Sequence, residues 1–343
     1  MSTSAFSFRR VVYAPVPFYL VLLIVVVFTA LFVYSKSKQS STAQNNAPVI
    51  QTADCITSLN ILRLKDYELT KPILLADIPR ESSELEETKA AILDVIHQQK
   101  EGGNAKTVSV YLRKFNDGSW ITINQQEQYD PGSILKVSLL IAILKQAQSN
   151  PSLLDKKILF SIHGTDIPKE YFLDDTLMPG TKYSIRELLR RMIVYSDNDA
   201  VTLLNQDLNV TMLQKLFTDL GLTAPQPQTK YLMTAEDCAK FMRVLFNSSY
   251  LKPEFSENAL RLLTESRFHK GLTDPLPATL KVAHKFGEAG TFTEPQLHEE
   301  GIVYIDNNPY LLVIMTKGSD YDRLSQCVSA ISKVVYGKFA VAS

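Results

Sequence analysis

A serine and a lysine stand three positions apart at the start of a very apolar segment, PGSILKVSLLIAILKQ. In a helix, Ser133 and Lys136 would share one face, so their side chains could touch. Burial disfavours the charged form of a lysine, and we therefore expect a lowered pKa for Lys136. A neutral amine beside a hydroxyl is a general base beside a nucleophile, so the pair predicts acyl transfer through Ser133.

The S-x-x-K spacing alone is weak evidence, because the chain contains it three times. Ser35 precedes Lys38 in a polar segment, and Ser249 precedes Lys252 just before a proline. Only the pair at position 133 heads an apolar helix, where free backbone N–H groups could also face an oxyanion. The alternative is structural: Ser133 caps the helix and Lys136 extends its amine to a nearby surface.

Two further short motifs follow in the chain. YSDNDA places Ser196-Asp197-Asn198 between two helical segments, where such residues usually cap a helix. HKFGEAG places Lys285-Phe286-Gly287 on a predicted strand, although Lys100-Glu101-Gly102 matches K-x-G as well. Each motif is weak alone, so their order along the chain carries the argument.

The ordered set S-x-x-K, S-D-N and K-x-G resembles serine β-lactamases and penicillin-binding proteins. The chain is similar to the class A β-lactamase catalytic domain over roughly residues 82–338. This resemblance implies catalytic roles for four residues. Ser133 would be the acylated nucleophile and Lys136 its activating partner, Ser196 would pass a proton to the leaving nitrogen, and Lys285 would supply positive charge.

The resemblance also implies a binding set around these four residues. Asn198 would hydrogen-bond the substrate amide while Asp197 braces its loop. Gly287 would let the substrate lie against the strand, and the N–H groups of Ser133 and Glu288 would form the oxyanion hole. Phe286 stands where the family usually has a hydroxyl residue, so recognition of a substrate carboxylate is in question.

One expected element is missing. Class A enzymes carry a glutamate in an E-x-x-L-N loop that activates the deacylating water, and this chain has no such motif after Asn198. Between there and Thr234 the acids are Asp199, Asp207 and Asp219. We therefore expect slow deacylation, with Asp207 as the replacement base if turnover is fast.

The N-terminus has a different character from the rest of the chain. Residues 11–34 contain no charged side chain, and about 20 apolar residues suffice to cross a bilayer. A cleavable signal peptide is the rival interpretation, although its apolar core is usually shorter. We predict a cytoplasmic tail (1–10), a transmembrane anchor (11–34), a polar linker (35–58) and a catalytic domain (59–343).

Periodicity in the catalytic domain predicts a helix, two strands around Asn116-Asp117-Gly118, a long helical stretch, three strands and a final helix. Strands from both ends could join one sheet. The expected fold is α+β and β-lactamase-like: an antiparallel sheet flanked by N- and C-terminal helices with a large helical lobe, preceded by one transmembrane helix.

Composition excludes several function classes. The 36 basic and 36 acidic residues leave no excess charge for nucleic acid. Three cysteines without C-x-x-C, and five histidines without ligand spacing, predict no metal site and no cofactor. The thiols are free or form at most one disulfide, and His284 could line the cleft.

The sequence thus predicts a membrane-anchored, single-pass, monomeric serine hydrolase with its catalytic domain outside the cytoplasm. Its expected substrates are β-lactams or related amides such as peptidoglycan peptides. One alternative is a D-Ala-D-Ala carboxypeptidase or transpeptidase acting on the cell wall. The alternative of another class is a catalytically inactive wall-binding protein that kept the fold, against which the complete catalytic set argues.

Overall fold

The computed structural model describes residues 59–65, 67–161, 171–172, 177–206, 209–226, 229–306 and 308–340. The predicted tail, anchor and linker, with Cys55 and Asp207, lie outside these residues. No helix in the described part of the chain combines the length and apolar character needed to cross a membrane.

Strands and helices alternate in blocks along the chain. The strands are β1 (Asn60–Arg63), β2 (Ile73–Asp77), β3 (Thr107–Lys114), β4 (Trp120–Ile123), β5 (Lys157–Leu159), β6 (Lys182–Ser184), β7 (Val282–Gly290), β8 (Pro295–Val303) and β9 (Tyr310–Lys317). The α-helices are α1 (Glu86–Glu101), α2 (Lys136–Ser149), α3 (Ile185–Val194), α4 (Asn198–Asn205), α5 (Val210–Asp219), α6 (Ala235–Phe246), α7 (Pro253–Thr264) and α8 (Tyr321–Ala340). Short 3₁₀ helices cover Ser83–Leu85, Gly132–Leu135 and Pro151–Asp155.

Strands from both ends of the catalytic domain form one five-stranded antiparallel sheet, in the order β4-β3-β9-β8-β7. This confirms the prediction that the early hairpin and the three late strands share a sheet. The small pairs β1–β2 and β5–β6 were not predicted. β1, β5 and β6 are short and largely exposed, and β2 is a short run in which the adjacent Leu74 and Leu75 are both buried. These strands therefore show little of the apolar alternation on which a strand prediction depends.

The turn between β3 and β4 has the residues that its geometry requires. Gly118 has a φ of 77°, a conformation that costs glycine little because it has no Cβ. Asp117 accepts a hydrogen bond from the backbone N–H of Ser119 at 2.8 Å. The hairpin predicted from Asn116-Asp117-Gly118 is confirmed, with Val110 opposite Ile123.

Each face of the sheet covers a separate core, because side chains alternate along a strand. On one face, Val110 and Ile314 pack with the terminal helices α1 and α8. On the other, Val313 and Met315 pack with the helical lobe, whose centre is the apolar helix α2. The predicted arrangement of terminal helices, sheet and helical lobe is therefore confirmed, and β7 runs beside the start of α2.

Candidate active site

Ser133 lies in a tight turn in front of α2. The predicted helix began at Ser133, whereas the structure has a 3₁₀ turn from Gly132 to Leu135 and starts α2 at Lys136. Gly132 has a φ of 51°, and the N–H of Ile134 donates to the carbonyl of Pro131 at 3.2 Å. This glycine breaks the helical path, so the nucleophile candidate is held outside the regular helix.

Two glycines allow this turn to lie directly against β7. A Cβ on Gly287 would be 2.8 Å from the backbone N of Ile134 and 2.9 Å from the O of Pro131. A Cβ on Gly132 would be 2.2 Å from the O of Glu288. Gly287 was expected to make room for a substrate. In the structure it makes room for the turn that carries Ser133.

The hydroxyl of Ser196 connects the two lysines of the predicted set. Ser196 Oγ accepts from Lys136 Nζ at 3.0 Å and from Lys285 Nζ at 2.8 Å. Lys136 Nζ also donates to the carbonyl O of Ser196 at 2.5 Å, and Lys285 Nζ to that of Phe286 at 2.7 Å. All three residues of this Lys–Ser–Lys bridge are at most 6% exposed, so their hydrogen bonds are shielded from water.

The local backbone explains how Ser196 reaches this position. It has a φ of 56°, a left-handed conformation that is uncommon for a residue with a side chain, at the break between α3 and α4. Asp197 caps α4, accepting from the N–H of Ala200 at 3.0 Å, and its Oδ2 lies 3.6 Å from Arg191 Nη1. Burial raises the pKa of Asp197, against the opposing effect of the Ala200 N–H.

Four of the predicted residues line one cavity of about 520 Å³: Ser133, Lys136, Asn198 and Glu288. Ser196 and Lys285 are buried and reach this cavity through their hydrogen bonds with Lys136 and with each other. A hydroxyl, an amine and an amide therefore face the same space, with a second hydroxyl one hydrogen bond away. Acyl transfer needs this combination of nucleophile, base and proton donor.

Phe286 does not line the cavity, although it was grouped with the substrate-binding residues. It is fully buried on the other face of β7, stacked on Phe268 with 4.3 Å between the ring centroids. Lys285 Nζ lies 4.2 Å from the Phe286 ring centroid. The absence of a hydroxyl is thus accompanied by burial, and this side chain presents no surface to a substrate.

The carboxylate of Glu288 is turned towards a neighbouring segment. It accepts hydrogen bonds from the backbone N–H groups of Tyr171 and Phe172, at 2.5 and 3.1 Å. The expected extra negative charge at the site is therefore partly neutralised by two N–H dipoles. Its backbone remains next to the Ser133 turn, as the predicted oxyanion hole requires.

Sequence reasoning missed Glu300, which stands opposite Lys285 in the β7–β8 register. It is fully buried, and within the described structure neither carboxyl oxygen has a hydrogen-bond partner. Burial raises its pKa well above the usual value, while Lys285 acts in the opposite direction. The signal was present in the sequence, since pairing the strands in HKFGEAG and HEEGIV brings this glutamate to the lysine.

His284 lies away from the site, contrary to the suggestion that it could line the cleft. Its Nδ1 is 2.7 Å from Oε1 of the buried Glu299, and it lines a different cavity, beside α7. Cys238 and Cys327 are free and buried. The described residues contain no group of three or more His, Cys, Asp or Glu side chains arranged to hold a metal ion.

Comparison with known proteins gives a family for this chain and similar folds. The model of the β-lactamase enzyme family matches residues 87–339, whereas no curated protein sequence matches significantly. Three solved structures are similar, each with 19% sequence identity. A PBP-A variant as its acyl-enzyme complex with penicillin G covers 74% of this chain and 97% of its own, with a TM-score of 0.61. A β-lactamase from Chitinophaga pinensis covers 74% of this chain and 99% of its own (TM-score 0.62), and a class A β-lactamase from Mycobacterium abscessus covers 73% and 99% (TM-score 0.60).

Proposed function

Because the chain belongs to the β-lactamase enzyme family, we propose that this serine β-lactamase-like hydrolase forms its acyl-enzyme on Ser133. The observation that carries the proposal is the Lys–Ser–Lys bridge at the cavity containing Ser133. A scaffold protein has no structural need for two buried amines on one hydroxyl, since burying such groups is costly. A proton relay can use that arrangement, because hydrogen bonds connect its groups.

In the proposed reaction, Ser133 Oγ attacks the amide carbonyl and its proton passes to Lys136. Ser196, hydrogen-bonded to Lys136, then transfers a proton to the leaving nitrogen as the C–N bond breaks. Lys285 holds the Ser196 hydroxyl and supplies positive charge. The N–H groups of Ser133 and Glu288 stabilise the oxyanion, which the close packing of the Ser133 turn on β7 supports.

The proposed substrates are β-lactams or related amides, including cell-wall peptides. Support comes from the family and from the PBP-A variant, whose structure is an acyl-enzyme with penicillin G. We further propose that the enzyme is a monomer anchored in the membrane by residues 11–34. Its catalytic domain would lie outside the cytoplasm, where such substrates are found. Protease added to intact cells should then digest the catalytic domain, and full protection would reverse the orientation.

Slow deacylation is part of the proposal. Among the described residues lining the cavity, the one acidic side chain is that of Glu288, which accepts two backbone hydrogen bonds. Asp219 is engaged elsewhere, with Lys215 Nζ at 2.9 Å and the hydroxyl of Tyr250 at 3.1 Å. Without a general base for the attacking water, hydrolysis of the acyl-enzyme should be slower by about 10²–10⁴.

A fluorescent penicillin tests the proposal. Wild-type protein should acquire a covalent label that persists on a gel, and Ser133→Ala should acquire none. Ser138→Ala is the matched control, because Ser138 lines the same cavity but donates its hydroxyl to the carbonyl of Leu135. Equal labelling of wild type and Ser133→Ala would refute the nucleophile assignment.

The role of Lys136 is tested in the same assay. Lys136→Arg keeps a positive charge but cannot act as a base, because the guanidinium does not lose its proton in proteins. We expect labelling to fall to the level of Ser133→Ala. Near-normal labelling of the arginine variant would remove the general-base role while leaving the nucleophile in place.

A further inference from the structure

One wall of the Ser133 cavity is apolar. It is formed by Leu135 of the 3₁₀ turn, Leu139 of α2, Val201 of α4 and Leu213 of α5; we call these four residues the helical wall. Leu139 follows Lys136 by three positions, so the two side chains share one face of α2. The helical wall therefore begins directly beside the catalytic amine and continues the same cavity.

Three of these side chains lie at the edge of the core. Leu135, Val201 and Leu213 pack against the core but are half-buried, whereas Leu139 is buried, like Leu140 and Ile141 of α2. Apolar surface that faces an open cavity remains in contact with water, and covering it is favourable. Ligand pockets commonly combine such a surface with a few polar groups that orient the ligand.

The opposite wall has a different chemistry. It consists of Glu288, Ala289 and Gly290 at the end of β7, and β7 is an edge strand of the five-stranded sheet within the described residues. An edge strand offers backbone N–H and C=O groups to a polar, extended part of a ligand. The polar part of a substrate should therefore bind to β7, and its apolar part to the helical wall.

We propose that the helical wall is a subsite for the acyl side chain of the substrate, so that the enzyme prefers acyl donors with an aliphatic or aromatic acyl group. This inference rests on the proposed acylation of Ser133. In that step the bond from Ser133 Oγ to the carbonyl carbon forms and the bond to the leaving group breaks. The acyl side chain stays with the enzyme, next to Lys136.

The preference should be graded with chain length. Each methylene that leaves water for an apolar wall changes the acylation rate by about threefold to fourfold, if the contact is made in the transition state. The effect should level off once the chain outgrows the wall. A polar acyl group of the same length should gain nothing from this surface.

A series of p-nitrophenyl esters from acetyl to octanoyl tests the subsite on the full-length protein. The measured quantity is the second-order rate of Ser133 acylation, followed by p-nitrophenolate release and intact mass. Each rate is divided by the ester's hydroxide hydrolysis rate and corrected with the Ser133→Ala variant. We expect the octanoyl ester to react much faster than the acetyl ester.

Two valine variants give a matched comparison. Val201→Thr places a hydroxyl on the helical wall without changing the shape, and should lower the octanoyl-to-acetyl ratio by about threefold to tenfold. Val210→Thr makes the same change at a site on α5 that is 57% exposed and outside the cavity, and should leave the ratio unchanged. Leu213→Asn is a second wall variant, in case Val201→Thr folds poorly.

The outcomes separate the two proposals. Equal corrected rates across the series in wild type, with Ser133 acylated by every ester, would overturn the subsite and leave the proposed function standing. An unchanged ratio in folded Val201→Thr and Leu213→Asn would also overturn it. Failure of Ser133 to react with any ester or with penicillin would remove the proposed function itself, and the subsite with it.

Discussion

Glu299 and Glu300 are consecutive residues of β8, both fully buried, and they point to opposite faces of the sheet. Glu299 accepts from the N–H of Leu272 at 2.6 Å and lies 2.7 Å from His284 Nδ1. Glu300 stands opposite Lys285, and neither of its carboxyl oxygens is hydrogen-bonded within the described structure. Of two adjacent buried carboxyl groups, one therefore has hydrogen-bond partners and the other has none within the described structure.

The two glutamates mark two different faces of the β7–β8 hairpin. We call the face that carries Glu299 the structural face, and the face that carries Glu300 and Lys285 the catalytic face. On the structural face, hydrogen bonds compensate the burial of a polar carboxyl group, as stable interiors require. On the catalytic face, an unsatisfied carboxyl is tolerated near the lysine that holds Ser196. Buried, perturbed acids near a cleft are typical of functional sites. Substitutions on each face should therefore affect different measurements.

The largest expected effect is on the catalytic face. Lys285→Met removes a donor from Ser196 Oγ, and acylation of Ser133 should slow by about 10²–10⁴, because the proton donor to the leaving group is no longer held. Penicillin labelling kinetics would measure the loss, with circular dichroism to verify folding. Lys281→Met, at an exposed lysine just before β7, is the control. A similar loss in both variants would contradict a specific role for Lys285.

On the structural face, Glu299→Ala should act on stability. The substitution removes the carboxyl that the N–H of Leu272 and the ring of His284 contact in the core. Breaking a buried pair in this way costs about 3–5 kcal/mol. Urea unfolding would measure this cost. Per folded molecule, acylation should fall less than in Lys285→Met. A stable Glu299→Ala protein with abolished labelling would show that the two faces are not separate.

Glu300 should make stability depend on pH. Because burial raises its folded-state pKa, its stabilising contribution is complete below the unfolded value near 4.5 and is lost as pH rises towards the folded value. Glu300→Gln lacks this titration, so its stability relative to wild type should improve by up to about 1.4 kcal/mol per pH unit. Urea unfolding between pH 5 and 8 would measure the difference. If the stabilities of wild type and Glu300→Gln change in parallel with pH, Glu300 is ionised in the folded protein and this prediction is wrong.

The smallest expected effect concerns His298, on the same face of β8 as Glu300. Burial lowers its pKa to about 3; its Nε2 donates to the carbonyl of Asp130 and its Nδ1 accepts from the N–H of Thr316. His298→Gln should cost about 1–3 kcal/mol at pH 7. This gap should narrow as pH falls below 6.5, because only the unfolded wild type binds the proton. If the stability difference between wild type and His298→Gln stays constant down to pH 4.5, the lowered pKa of His298 is contradicted.

Much of the fold could be predicted from the sequence because its signals are local. Apolar alternation identified the strands of the main sheet, and Asn116-Asp117-Gly118 identified a hairpin whose glycine has a positive φ. Ser184 and Glu187 have the three-residue spacing of a capping box, and in the structure the Ser184 hydroxyl accepts from the N–H of Glu187 at the start of α3. The start of α2 was predicted three residues early, because a 3₁₀ turn and an α-helix have similar residue preferences over so short a stretch.

The chemical groups of the site were determined by the sequence alone, through three motifs in a fixed order. Only the tertiary structure decided how they meet. Lys136, Ser196 and Lys285 are far apart in the chain, and their convergence depends on the packing of the Ser133 turn against β7. The burial of Phe286 and the isolation of Glu300 were likewise decided by strand register, because the face that a strand residue occupies depends on its pairing across the whole sheet.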